Sequence, residues 1–301
     1  MFDRINLRRD LTDCQGHVLA PRGFVVSTES IVEAAASVVP GAAEPIGGTP
    51  LLEDLQQPLT DPTYRHLFRN DGIRDGVTQV VRSARLPSVL VAELAAMKRS
   101  DPPRYRHALA SAAVTVRMLE VGAGRTRMPA ELAAAALLHD IGMHHVPARV
   151  VRHPESLHGD DSLEVVQHPL LGAYHLACVL GDHPAVEAAL THHWREGQGY
   201  PDLPSPPSPS VEVVAVASAF AALTHARAYR SDAYDARGAV DLLVAEAASG
   251  FAEPFAVKLL VHALRGGDGE LGSLRFARGR PGHRPMVNHH TRISVPVVGR
   301  A

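Results

Sequence analysis

Ten of the 18 histidines lie between His139 and His193, an interval shorter than a fifth of the chain. Most of them read as surface residues of an Arg- and Ala-rich sequence. His139-Asp140 and His192-His193 are different, because imidazole clustered with a carboxylate is the donor set of an N/O metal site. Asp140 is the natural bridge, since one carboxylate gives an oxygen to each of two ions. His107, His139 and His193 fall on apolar stripes of three separate helical segments, so they should converge inside a bundle. A lone histidine there is usually a satisfied core residue. Several buried imidazoles with a carboxylate and no partners would be costly, whereas divalent cations would satisfy them all.

The elements that must carry these side chains are helical. Leu86–Lys98 puts Leu90, Leu94 and Met97 on one face. A helix starting at Pro102-Pro103 aligns His107, Ser111, Val114 and Met118, proline being favoured in a first turn. PAELAAAALLHDIG begins at Pro129 and aligns Leu132, Ala136 and His139, with Gly142 expected to end it. DSLEVVQHP leads to His168, where Pro169 predicts a break and a new helix to Leu180. HPAVEAALTHHW begins at Pro184 and aligns Val186, Leu190 and His193. Arg195–Ser210, rich in Gly, Pro and Ser, reads as a loop. Helices follow over Val211–Thr224, Ala236–Ser249 and Pro254–Leu264.

The ends of the chain differ. Residues 1 to about 27 read as extended segments between turn signals. A short helix follows from Ser27, and Pro40–Pro50 reads as a linker or exposed loop. The tail carries a candidate strand, Ile293–Val298. The expected organisation is a small mixed α/β region over 1–85 (a regulatory or dimerisation module), a helical domain over 86–266 and a tail over 267–301. The fold class is mainly α.

Composition narrows the partners. The chain has 301 residues, 46% hydrophobic and 21% charged, with a net charge of −2. No global field draws in DNA or RNA, and no apolar run reaches the roughly 18 to 20 residues that span a bilayer. The first residues lack the apolar core of a signal peptide. Two cysteines, Cys14 and Cys178, make no disulfide framework. A cytoplasmic protein is expected.

The motifs together resemble the HD-GYP family. They run in order as His107, HDIGM (His139 to Met143), QHPLLGA (Gln167 to Ala173) and THHWREGQGYP (Thr191 to Pro201). VPARVV, ALTHARAYR (Ala222 to Arg230) and FAEPFAVKLL (Phe251 to Leu260) extend the match, so the resemblance covers about residues 90 to 266. It implies an HD-superfamily helical bundle that hydrolyses cyclic di-GMP, with two divalent ions, iron or manganese first and zinc or nickel second. It also implies that His107, His139, Asp140, His168, His192 and His193 are metal ligands, with His139 and Asp140 at the catalytic centre. Gly199 and Tyr200 fall on the signature loop. Arg227 and Arg230 fall on positions that bind the dinucleotide phosphates.

Several positions depart from the family pattern: besides Ala221 at a second aspartate position and Trp194 where glutamate is common, in a segment one residue shorter than usual, three bear on the ions and the phosphate. Ser218 stands in VASAFAALT where the family has an aspartate ligand, so one ion should bind weakly. Met143 stands where a phosphate-facing lysine is usual, and His144 and His145 read as surface residues. Pro103 stands where some members have a glutamate for a third ion, so no third ion is expected. The expected activity is a weakened phosphodiesterase of cyclic di-GMP or a related cyclic dinucleotide. The main alternative is a degenerate member acting as a cyclic dinucleotide receptor or signalling scaffold. A different HD-type phosphohydrolase comes next, and a homodimer or a signalling protein partner is left open.

Overall fold

The computed structural model describes residues 3–48, 50–122, 128–151, 160–195, 199–226, 232–267, 270–274 and 281–286. Arg125, Arg127, Glu196, Arg227, Arg230, His289, His290 and the candidate strand Ile293–Val298 lie outside the described residues.

The chain opens with β1 (Arg4–Asn6), β2 (Leu11–Thr12), β3 (Val18–Ala20) and β4 (Val25–Ser27), then α1 (Thr28–Ser37) and β5 (Ala43–Pro45). Next come α2 (Leu51–Thr60), α3 (Asp71–Ser83), β6 (Arg85–Pro87) and α4 (Ser88–Ser100). The long α5 (Pro102–Gly122) is followed by α6 (Pro129–Leu138), α7 (Ala148–Val151), α8 (Asp160–Val166) and α9 (His168–Leu180). The series ends with α10 (Pro184–Thr191), α11 (Pro209–Thr224), α12 (Ala236–Ala248) and α13 (Pro254–Leu264). The fold is mainly α, as expected. The described strands form three antiparallel pairs, β1 with β4, β2 with β3, and β5 with β6.

Helix α5 is the axis of the bundle. Its residues from Tyr105 to Leu119 are buried apart from Arg106, and α6, α11, α13, α2, α3 and α4 pack against it. The buried run Ala133–Ala136 of α6 removes side-chain bulk and lets neighbouring backbones approach closely. Helix starts follow local chemistry: proline opens α6, α9 and α10 near the first turn, and Asp235 caps α12 through the Gly238 N–H at 2.6 Å.

Several expectations need correction. Helix α6 ends at Leu138, not at Gly142; His139 and Asp140 form its exit, and Ile141–His145 continues as a 3₁₀ turn. The Pro40–Pro50 stretch is not a free linker, because β5 within it pairs with β6, Ala43 opposite Pro87. Helix α2 was not expected; its Leu51, Leu55 and Leu59 are buried despite Pro58 in the last turn. One hydrophobic core runs from Ile5 to Ala263, so packing is continuous across residue 85.

Gly142 fixes where the His139-Asp140 turn sits. A Cβ there would lie 2.0 Å from the His168 carbonyl oxygen and 2.6 Å from the Gly172 nitrogen, both backbone atoms of α9. The turn and α9 therefore touch backbone to backbone, which a side chain would prevent. Gly142→Ala should lower Tm by roughly 5 °C or more, since forced overpacking costs about 1–3 kcal/mol. Thermal unfolding followed by circular dichroism checks this; an unchanged Tm would mean that the turn does not dock on α9.

Candidate metal centre

Four helix ends and two helix interiors deliver the polar side chains to one point. His139 is the residue after α6, His168 is the first of α9 just beyond α8, and His192 follows α10. The last carbonyls of a helix lack intrahelical partners, and an imidazole N–H is one way to satisfy them. His139 Nδ1 donates to the Ala136 carbonyl at 2.8 Å, and His168 Nδ1 to that of Val165 at 2.7 Å. His192 Nδ1 donates to Ala188 and Ala189, at 3.0 Å each. Each bond fixes the tautomer, so each ring turns the lone pair of Nε2 away from its own helix.

Those lone pairs meet around Asp140. Oδ1 lies 3.4 Å from His168 Nε2 and 3.3 Å from His192 Nε2; Oδ2 lies 3.5 Å from His139 Nε2 and 3.7 Å from His107 Nε2. The carboxylate thus faces one pair of histidines with each oxygen. Donor atoms of Asp140, His168, His192 and His193 lie within 4.8 Å of one another, as do those of His107, His139 and Asp140. All six sequence-predicted ligands are therefore brought together in two groups that share Asp140.

The donor chemistry fits cations. His168 Nε2 and His192 Nε2 are 3.0 Å apart, and with both Nδ1 atoms donating to carbonyls, the two Nε2 atoms are the ligand atoms turned toward each other and toward Asp140. Nothing in that arrangement is favourable until a positive charge lies beside it. Burial pushes the His192 imidazole down, and it pushes His193 well below its ordinary value with help from His192 and His168. Burial works against the Asp140 carboxylate, but the surrounding His139, His168 and His192 hold its carboxyl well below the usual range. Neutral rings and an ionised carboxylate are the ligand forms a divalent ion needs.

Ser218 of α11 sits inside the second group. Its Oγ is 3.0 Å from His139 Nε2 and 3.2 Å from His107 Nε2. On the opposite side, Tyr200 stacks on His193 with centroids 4.8 Å apart and an angle of 22°. The Tyr200 N–H donates to the His193 carbonyl at 3.1 Å, and the Gly199 N–H to that of Arg195 at 2.9 Å. A Cβ on Gly199 would lie 2.2 Å from the Arg195 nitrogen, so only glycine lets this loop fold back on the site. His144 is exposed as expected, but His145 is half-buried, 3.2 Å from His175 Nδ1. Sequence reasoning missed the carbonyls of Ala136, Val165 and Ala188; the signal was a histidine one turn past the start of each helix's last turn.

The profile described as HD domain matches residues 89–252, more than half of the chain. The chain belongs to the HD domain family. Three curated relatives are similar to parts of it. A 3'3'-cGAMP-specific phosphodiesterase of Vibrio cholerae serotype O1 is 36% identical over 112 residues, 34% of this chain and 25% of the relative. A cyclic di-GMP phosphodiesterase of Pseudomonas aeruginosa is 35% identical over 122 residues, 39% of this chain and 28% of the relative. A cyclic di-GMP phosphodiesterase response regulator of Xanthomonas campestris pv. campestris is 34% identical over 153 residues, 49% of this chain and 40% of the relative. The matches span between a quarter and two-fifths of those relatives' lengths. The HD-GYP resemblance read from the motifs agrees with these relatives, and divalent metal binding agrees with the HD domain family and the two donor groups. No described helix is long and apolar enough to cross a membrane.

Asp140 faces both groups, so Asp140→Asn should lower bound divalent metal more than any single histidine variant does. Metal analysis of the purified chain checks this; equal loss in Asp140→Asn and His107→Ala would mean that the carboxylate is not shared.

Proposed function

We propose that this HD domain protein is a metal-dependent phosphodiesterase acting on cyclic di-GMP or a related cyclic dinucleotide, with turnover weakened by Ser218 and Met143. The observation that carries the reading is the pair of donor groups meeting at one carboxylate. In this reading the ligands are His107, His139, Asp140, His168, His192 and His193. They take two divalent transition-metal ions, iron or manganese before zinc or nickel. Ions held there would supply water activation and neutralisation of phosphate charge.

The chain's own residues set the rest. Asp140 supplies the one anionic oxygen to each half, and the helix-end carbonyls hold the rings in register. Tyr200 lies against His193 and shields that flank of the site, while Gly199 lets the loop close down on it. Arg227 and Arg230 follow α11 and are assigned to the substrate phosphates, which guanidinium groups bind in bidentate fashion. The second half is the weak one. A serine hydroxyl carries a single proton and no charge, so Ser218 cannot replace a carboxylate between His107 and His139. The cytoplasm as the working compartment, and residues 1–85 as a regulatory or dimerisation module, belong to the same reading.

A second reading is a cyclic dinucleotide receptor without turnover. It is favoured by the Ser218 hydroxyl lying within hydrogen-bond distance of both Nε2 atoms of the weak half. Ser218→Asp separates the two. A phosphodiesterase limited by its missing carboxylate should gain metal occupancy, and its rate of linear dinucleotide formation should rise by at least roughly tenfold. Occupancy that rises without turnover supports the receptor. A metal-loaded protein that neither binds nor cleaves cyclic dinucleotides overturns both.

A further inference from the structure

Just beyond the His139-Asp140 turn lies a cavity of about 450 Å³, lined by Arg9 and Asp10 from the N-terminal segment, Asp101 and Arg104 around the start of α5, and Met143 and His144. Its size is in the range of small-ligand pockets, ~300–1,000 Å³. Arg104 is 8% exposed, and its Nε and Nη1 have no hydrogen-bond partner among the described residues. Asp101 lies 3.6 Å from Arg104 Nε, beyond hydrogen-bond reach, and its Oδ1 accepts from the Arg104 backbone N–H at 3.2 Å. Asp10 is likewise committed, accepting from the Arg22 N–H at 2.7 Å. Arg9 donates to the His145 carbonyl. Arg104 is thus a guanidinium nine-tenths out of water that is paired in charge with Asp101 but short of hydrogen-bond acceptors, and such a group is costly unless an acceptor meets it. Burial pulls the Arg104 guanidinium down, while the charges of Asp101 and Asp140 act the other way; on α5, Arg104 stands one turn before His107. Met143 lines the same wall and brings no charge.

We propose that this cavity is a second phosphate subsite, in which Arg104, with Arg9 at its rim, holds the non-reacting phosphate of a dinucleotide whose other phosphate lies at the metal centre. The proposal rests on the phosphodiesterase reading above. It gives the N-terminal segment a direct part in ligand binding, because Arg9 and Asp10 complete the wall. Planar guanidinium groups suit this task, since they meet phosphate oxygens through paired N–H donors.

The test uses the metal-loaded full chain and three ligands: cyclic di-GMP, inorganic phosphate, and bis(p-nitrophenyl) phosphate, which has a single phosphodiester. Arg104→Met should raise the Kd for cyclic di-GMP roughly ten- to hundredfold, and Arg9→Ala a smaller amount. Metal content and hydrolysis of the single phosphodiester should stay at wild-type levels, and adding Met143→Lys to Arg104→Met should recover part of the affinity. Arg9→Ala, at an exposed position, reads the same cavity if Arg104→Met fails to fold. Unchanged Kd values in the folded variants would overturn the subsite. So would a loss of affinity that tracks a loss of metal, which would make Arg104 a support of the metal centre. If the wild-type chain neither binds cyclic di-GMP nor cleaves the single phosphodiester, the phosphodiesterase reading fails instead. Phosphate bound by wild type and lost in Arg104→Met would then mark a separate phosphate seat and overturn the shared-ligand proposal.

Discussion

A carboxylate surrounded by four imidazoles inside a helical bundle constrains every element near it. Asp140 offers two oxygens, and the histidines facing them come from α5, the exit of α6, the start of α9 and the exit of α10. None of these side chains gains from burial alone, because each carries polar atoms that leave water to get there. The bundle must therefore hold them together by packing elsewhere. Helix α5 does so with a nearly continuous buried surface, and the alanines of α6 let the neighbouring backbone come close enough for short reach to matter. The site is assembled by apolar packing whose geometry is set a few ångströms away from the chemistry.

Orientation within that assembly comes from helix ends. A helix that stops leaves carbonyls without partners, and here the residue that answers them is a histidine. The same hydrogen bond that finishes the helix selects the tautomer and aims Nε2 at the centre. This links two levels of the structure: moving the end of α6 or α10 by one residue would both orphan a carbonyl and turn a lone pair away from Asp140. The Gly142–Gly172 approach acts alongside it, since α9 can bring His168 to the carboxylate only if neither backbone carries a side chain at the crossing.

Much of this was legible in the residues. The stripes that put His107 and His139 with leucine, valine and alanine marked them as inward-facing, and Pro129, Pro169 and Pro184 marked helix starts. Motif order, not periodicity, brought in His168 and Ser218. What was not legible depends on contacts distant in sequence. Helix α2 follows a Gly/Pro-rich stretch and carries Pro58 in its last turn, so local propensity argues against it; burial of Leu51, Leu55 and Leu59 against the bundle decides otherwise. The β5–β6 pair joins residues some forty positions apart, and the short strands carry no alternation long enough to read. Nothing in the sequence singles out Arg104, and only the folded chain shows its guanidinium enclosed.

Ser218 shows how one substitution divides a symmetrical site. Its oxygen lies near Nε2 of both His107 and His139, so the position is inside the donor group. A carboxylate there would bring a charge and a second oxygen; the hydroxyl brings one proton, which can satisfy one lone pair at a time. The half built from His168, His192 and His193 suffers no such loss, because its anion is Asp140 and the rings of His168 and His192 are fixed by carbonyls. Asp140 must then balance both halves alone, and a dication in the intact half draws its charge away from the other. On the two-ion reading proposed above, affinity for a first ion and affinity for a second would therefore be opposed. Any anion that arrives with the ligand, a phosphate above all, supplies the charge that the second half lacks. Substrate and second ion would on this logic bind together, which is how a site short of one carboxylate keeps a use for all its histidines.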